Sequence, residues 1–195
     1  MSNTINKVVY DGNTLIDITD TTATDSDVAN GIVYYRADGT RGVGTLTIPT
    51  PNIMTVYLKA DFTISATNTT YDLTNVETLT NVGTKLSLVS GKIKIGAGVS
   101  KVKVSYTAKC LSPANTTRTF MYLMYNHSNT DVAISQEGAW FGGTNWQVNI
   151  GVVPRVLSVS EGDTFWLRCY GYKNNTIGGK AGDFIPTILT VEVVE

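Results

Sequence analysis

Histidine is almost missing from this 195-residue chain, which has only His127, and cysteine occurs twice, at Cys110 and Cys169. Two thiols and one distant imidazole fall short of the three or four ligands of a zinc site, so no metal or other cofactor is expected. A single histidine at the end of an apolar run, with no nucleophile and orienting carboxylate in a recognisable set, also argues against an enzyme. The acidic residues are scattered through turns and do not read as the paired carboxylates of a glycan-cleaving groove. Gly142-Gly143 and Gly178-Gly179 lack the Lys and the following helix of a phosphate loop. There is no basic excess, because 15 Lys and Arg stand against 16 Asp and Glu, and a nucleic-acid partner is not expected. No apolar run reaches the length of a membrane span, so membrane insertion is not expected. The first dozen residues lack the apolar core of a signal peptide. The chain is therefore expected to start in a cytoplasm and to leave the cell by another route, such as lysis.

Hydrophobic residues make up 42% of the chain and charged residues 16%, enough apolar surface for a packed core. Thr, Asn, Val, Ser and Gly dominate, and long Glu/Lys/Ala/Leu stretches are missing, which favours strands and turns over helices. Both cysteines fall in alternating apolar runs and are expected to be small buried core residues. Whether they pair is left open, since pairing needs close Cα atoms.

Residues 1–48 read as a separate module rich in hairpins. Residues 7–18 contain the strong turn signal Asp11-Gly12. Residues 24–30 suit one short helical turn with Gly31 as its stop. Two strands, 32–36 and 41–48, flank the turn Ala37-Asp38-Gly39-Thr40. Six Asp against Lys7, Arg36 and Arg41 give this module a net charge of −3. It has too few large apolar side chains for a core of its own, so it is expected to be ordered by a partner or to be a flexible leader. Residues 49–54, with Pro49 and Pro51, form the expected linker.

Residues 55–195 read as one domain of eight to ten short strands with no long helix, the pattern of an all-β sandwich or jelly roll. Residues 55–64 alternate, with Val56, Leu58, Ala60, Phe62 and Ile64 on one face. Residues 66–83 fit neither strand nor helix well and read as a connection wrapping the sandwich, with short edge strands at most. Residues 101–111 alternate cleanly, with Val102, Val104, Tyr106, Ala108 and Cys110 inward. Residues 137–146 read as a Gly-rich loop, and the strand that follows is expected to stop at Pro154. Asp163 to Tyr172 and 187–195 complete the set, the last as a closing strand buried by its neighbours. Residues 119–127 differ, because Phe120, Tyr122 and Met124 point one way while Met121, Leu123 and Tyr125 point the other. An apolar strand on both faces needs two coverings, and the second comes from a long loop or from another subunit.

The segment SGKIKIGAGVSKVKVSYTAKC, then SVSEGDTFWLRCYGY with its Gly162-Asp163 turn, then PTILTVEVVE with Thr190-Val191-Glu192, resembles tumour necrosis factor-like and complement globular-head-like jelly rolls. It is most similar to the versions of that domain in phage and prophage structural proteins. The stretch NKVVYDGNTLIDITDTTATDSDVANGIVYYRADGTRGVGTL resembles a short module of phage tail and fibre proteins that lies near the virion. A fibre of that kind usually carries a shaft between anchor and head, and here only the Pro-containing linker intervenes. The resemblance implies a homotrimeric phage virion protein, attached through residues 1–48 to other virion proteins, with the jelly roll exposed to the host. It implies a trimer axis lined by Phe120, Tyr122, Met124, Trp166, Arg168 and Tyr170, with the inward face left open. A non-binding capsid decoration or head fibre, and a bacterial surface or spore-coat adhesin, are the alternatives.

Binding is a better functional class than catalysis. Sugar C–H faces stack on aromatic rings while amides satisfy hydroxyls. Trp140, Phe141, Asn145 and Trp146 carry these groups in one segment, and Tyr172 and Asn174 in another, so a host-surface glycan is the expected ligand. The same aromatics would equally fill the end of the sandwich or a subunit interface.

Overall fold

The computed structural model describes residues 6–114, 117–143, 146–179 and 186–194, and Asn145 lies outside them. Every regular element among the described residues is a strand. The chain divides into two compact units, Met1–Pro49 and Thr50–Glu195.

The first unit holds two separate hairpins. Strands β1 (Lys7–Tyr10) and β2 (Asn13–Asp17) pair antiparallel. Asp11 and Gly12 both take positive φ between them, the backbone twist that a two-residue hairpin turn requires. Strands β3 (Val33–Tyr35) and β4 (Arg41–Val43) form the second pair. Where one short helical turn was expected at 24–30, the chain makes a single turn closed by the Asp27 amide on the Thr24 carbonyl at 3.0 Å, which the Asp27 carboxylate braces by accepting from the amide and the hydroxyl of Thr24, and no helix follows. Asp25 takes the Arg36 guanidinium at 2.6 and 2.9 Å and the Tyr34 hydroxyl at 2.7 Å. The buried hydrophobic residues all lie at Met54 or beyond, so the described part of this unit is held by hydrogen bonds and ion pairs, with no apolar core.

The second unit is a two-sheet sandwich. Its strands are β5 (Ile53–Leu58), β6 (Phe62–Thr63), β7 (Thr69–Asp72), β8 (Val76–Val82), β9 (Leu86–Val89), β10 (Lys92–Ile95), β11 (Lys101–Ser112), β12 (Thr117–His127), β13 (Thr130–Phe141), β14 (Trp146–Ser158), β15 (Thr164–Gly171), β16 (Thr176–Ile177) and β17 (Ile188–Val193). One sheet runs β13-β12-β15-β10-β9, with β7 added beside β15. The other runs β6-β16-β11-β17-β5-β8, with β14 along the far side of β11. Val102 and Val104 of β11 and Leu189 and Val191 of β17 meet Met121 and Leu123 of β12 and Phe165 and Leu167 of β15 in one core. Each large aliphatic side chain buried this way stabilises the fold by about 1.5–3 kcal/mol. The inward alternation of β11 is as the sequence predicts. Strand β17 lies between β11 and β5, so it is covered on both sides.

Three expected boundaries shift. The strand expected at 55–64 begins at Ile53, inside the expected linker, and breaks after Leu58. Ala60 is exposed rather than inward, because the strand ends at Leu58 and residues 59–60 form a bend that breaks the alternation. Residues 66–83 carry edge strands, as their reading allowed, β7 against β15 and β8 against β5. Residues 137–141 belong to β13 rather than to a loop, with Gly138 opposite Phe120. Strand β14 passes through Pro154 at a register shift opposite Val104 and Tyr106. An edge strand tolerates proline at such a bulge, where its missing N–H is not required.

Candidate functional site

The outer face of the six-stranded sheet carries most of the residues marked by the sequence. Register places Phe120 beside Tyr170, Tyr122 beside Arg168 and Met124 beside Trp166. Side chains directly opposite in an antiparallel pair share a face, so all six axis candidates stand together, away from the core. Next along the sheet, Arg118 pairs with Trp140 and Phe120 with Gly138.

One end of this face is held by Asp72. Its carboxylate accepts from Arg168 Nε at 2.6 Å, Arg168 Nη2 at 3.2 Å and Trp166 Nε1 at 2.9 Å. Burial alone would raise the Asp72 carboxyl, but the Arg168 and Trp166 hydrogen bonds outweigh it and hold the group below its usual range. Lys92 Nζ sits 3.6 Å from the Trp166 ring centroid. Trp166 is 0% exposed and Met124 is buried, although both point away from the core. The chain thus supplies part of the second covering from its own side chains.

The other end is open. The Arg118 guanidinium carbon lies 5.5 Å from the centroid of the Phe120 ring and 5.5 Å from that of Trp140. Phe120 and Tyr170 follow with ring centroids 6.1 Å apart, and the Tyr170 hydroxyl donates to Asn68 at 2.8 Å. Gly138 makes room for this row, since a Cβ there would lie 2.8 Å from Phe120 Cε1. The result is a band of rings across three strands with a cation set between two of them. Trp140, at its end, is 66% exposed.

The other ligand candidates scatter. Phe141 is 1% exposed and belongs to the core, so no ligand reaches it, because alternation turns it inward beside outward Trp140. Trp146 is 52% exposed, and its indole leans over Gly142 and Gly143. Asn174, at φ +71°, borders a separate groove of about 260 Å³ with Asp61, Gln147 and Thr176. Tyr172 is anchored through its amide to the Arg118 carbonyl at 3.3 Å. Asn175, beside Asn174 in the sequence, is fully buried and donates from its amide to the Arg118 carbonyl and the Thr119 hydroxyl. The sequence reading missed Arg118 and Gly138. Their signal was strand parity, because Arg118 lies two residues before Phe120 on the same face.

His127, at the end of β12, uses Nδ1 to reach the buried Asp163 carboxylate at 2.9 Å. Asp163 also accepts from the Tyr125 hydroxyl at 2.5 Å and the Ser160 amide at 2.8 Å. Burial would raise this carboxyl, but the Tyr125, His127 and Ser160 hydrogen bonds hold it low. The group ties two loops together at one end of the sandwich.

No protein-family model matches the sequence, and no curated protein matches it. Solved structures do. Murine APRIL at pH 5.0 superposes with a TM-score of 0.55 at 7% identity, over 74% of this chain and 99% of that one. Eiger TNF from S. frugiperda superposes with a TM-score of 0.57 at 8% identity, over 75% of this chain and 94% of that one. The chain carries a TNF-like jelly roll. The PRD1 vertex protein P5 also aligns, over 75% of this chain at 14% identity, but its TM-score of 0.47 is too low to support an inference. At these identities the TNF-like jelly roll is a shared architecture, and function follows from this chain's own residues.

Proposed function

We propose that this protein is a non-enzymatic structural component of a bacteriophage virion. Residues 1–48 attach it to other virion proteins, and the jelly roll assembles as a homotrimer that faces outward and contacts host-surface glycans. The observation that carries this reading is the contrast between the two units. A complete sandwich is joined to a module with no buried apolar side chain among its described residues, and with Tyr10, Leu15, Ile16 and Ile48 exposed. Such a module is completed by other polypeptides rather than by its own chain. The virion-proximal module that residues 1–48 resemble supports the same assignment.

The trimer contact is assigned to β14 and the adjoining outer face of the seven-stranded sheet. Among the described residues, strand β14 pairs with β11 alone, and it leaves Val153 81% exposed with Val156 beside it. A long apolar edge strand is a site of uncontrolled pairing unless something covers it. The six residues expected at the axis make a weaker interface, since Trp166 and Met124 are already covered. The six-stranded sheet is then left facing solvent.

Multi-angle light scattering of the full chain should give three times the 21.0 kDa protomer mass. A Val153→Lys, Val156→Lys variant should lower that mass without unfolding the protein. A monomeric wild-type protein at micromolar concentration overturns the trimer. Peptides of this chain missing from purified particles of the phage that encodes it overturn the virion role.

A further inference from the structure

We propose that the row Trp140–Arg118–Phe120 is a binding site for an acidic saccharide, a pyranose carrying a carboxylate. This inference rests on the reading that the outer sheet meets host glycans, and it names the class of glycan.

The argument starts from Arg118. Among the described residues it makes no ion pair, and its Nε is buried without a hydrogen-bond partner. By contrast, Arg36 and Arg168 are each held by a carboxylate. A guanidinium is a planar fork suited to two parallel hydrogen bonds with a carboxylate, and leaving it unmatched is unfavourable. Arg118 is also held in place. The Phe120 and Trp140 rings flank its head, while its carbonyl accepts from Asn175 Nδ2 and from the Tyr172 amide. A cation fixed before binding loses little rotamer freedom when the ligand arrives.

Trp140 supplies the second element. Its indole is mostly exposed on the edge strand β13, at the end of the ring band, where it is free to take a ligand. An indole face suits the C–H face of a pyranose, and the ring stands within reach of the same guanidinium. Gln136 and Tyr122, opposite one another and next along the face, add an amide and a phenol for sugar hydroxyls. The carboxylates on this face, Asp72 and Asp131, gather at the other end around Arg168. The Arg118 end is therefore locally positive, which favours an anionic sugar over a neutral one.

The test uses the full-length protein and a panel of glucuronate, galacturonate and N-acetylneuraminate methyl glycosides, with neutral methyl glucoside and methyl galactoside beside them. Saturation-transfer NMR and the indole N–H shift of Trp140 report binding. The acidic sugars should bind at least about tenfold more tightly than the neutral ones, and added salt should weaken them. Arg118→Gln should remove that difference with an unchanged melting curve, and Trp140→Ala should abolish binding altogether. If Arg118→Gln does not fold, Arg118→Lys keeps the charge, loses the fork and should still weaken the acids selectively. Equal binding of neutral and acidic sugars, indifferent to Arg118, overturns the inference and leaves the glycan reading standing. No binding by any member of the panel overturns both.

Discussion

The buried side-chain amide of Asn175 donates to the main-chain carbonyl of Arg118 at 3.2 Å. A loop residue inside the sandwich thereby fixes the strand position that presents the half-buried Arg118 guanidinium. Its own oxygen accepts from the Ser112 hydroxyl at 2.9 Å, and its nitrogen reaches Thr119 Oγ1 at 3.0 Å.

Asn175→Ala removes one partner from each of these bonds and leaves the others buried. Orphaned buried groups cost about 1–3 kcal/mol each, so a loss of about 2–3 kcal/mol in unfolding free energy is expected from urea titration. A change below about 0.5 kcal/mol would mean that the hydroxyls re-pair among themselves.

Asp163 makes stability depend on acid. Its carboxyl is held below the usual range in the folded chain, so the unfolded chain takes up the proton first as pH falls. Its contribution is complete above the unfolded value near about 4 and is lost as pH drops through the lower folded value. Asp163→Asn should melt earlier than the wild type at pH 6, and the gap should narrow below about pH 4. A gap that stays constant down to pH 2 would remove Asp163 from the acid response.

The two thiols should be silent in the native protein. Burial pushes both Cys110 and Cys169 up to about 12, so almost no thiolate exists at neutral pH. Both are free, one in each sheet. An aromatic disulfide reagent should therefore react with two equivalents only after denaturant is added. Rapid labelling of the native chain would contradict this burial.

Gly12 and Gly91 share a φ of +74° but differ in surroundings. A Cβ on Gly12 meets nothing within 4 Å, whereas one on Gly91 falls 2.1 Å from the Thr74 carbonyl oxygen. Gly12→Ala should cost about 1 kcal/mol, the strain of the left-handed backbone alone. Gly91→Ala adds a backbone collision and should cost more than about 2 kcal/mol by thermal melting. Equal costs would show that the β9–β10 turn can move away from Thr74.

Much of the sandwich was legible because period-two alternation survives in β11, β12 and β15: Val102 turns inward as expected, and the two faces of β12 and β15 separate as read, with Met121 and Phe165 on the core side that the pattern alone left open. The turns at Asp11-Gly12 and Gly162 were legible because their φ values call for residues that tolerate them. Residues 137–141 misread because glycine normally breaks a strand, and only the ring of Phe120, distant in sequence, explains Gly138. Pro154 misread because its tolerance depends on β14 being an edge strand, which local sequence does not state. Trp140 was visible as a candidate, but Arg118 was not, since pairing across β12 and β13 is what brings them together. Phe141 was counted with Trp140 for its aromatic character, when the pleat separates the two.

The position of β17 has a consequence for synthesis. Both of its neighbours, β5 and β11, emerge from the ribosome well before residues 188–193 are made. Until then the larger sheet has a slot open at its centre, and the unfinished protein carries two raw edges at once. A chain that stops short of residues 188–193 therefore cannot close this sheet, and its unpaired edges are expected to drive it into aggregates.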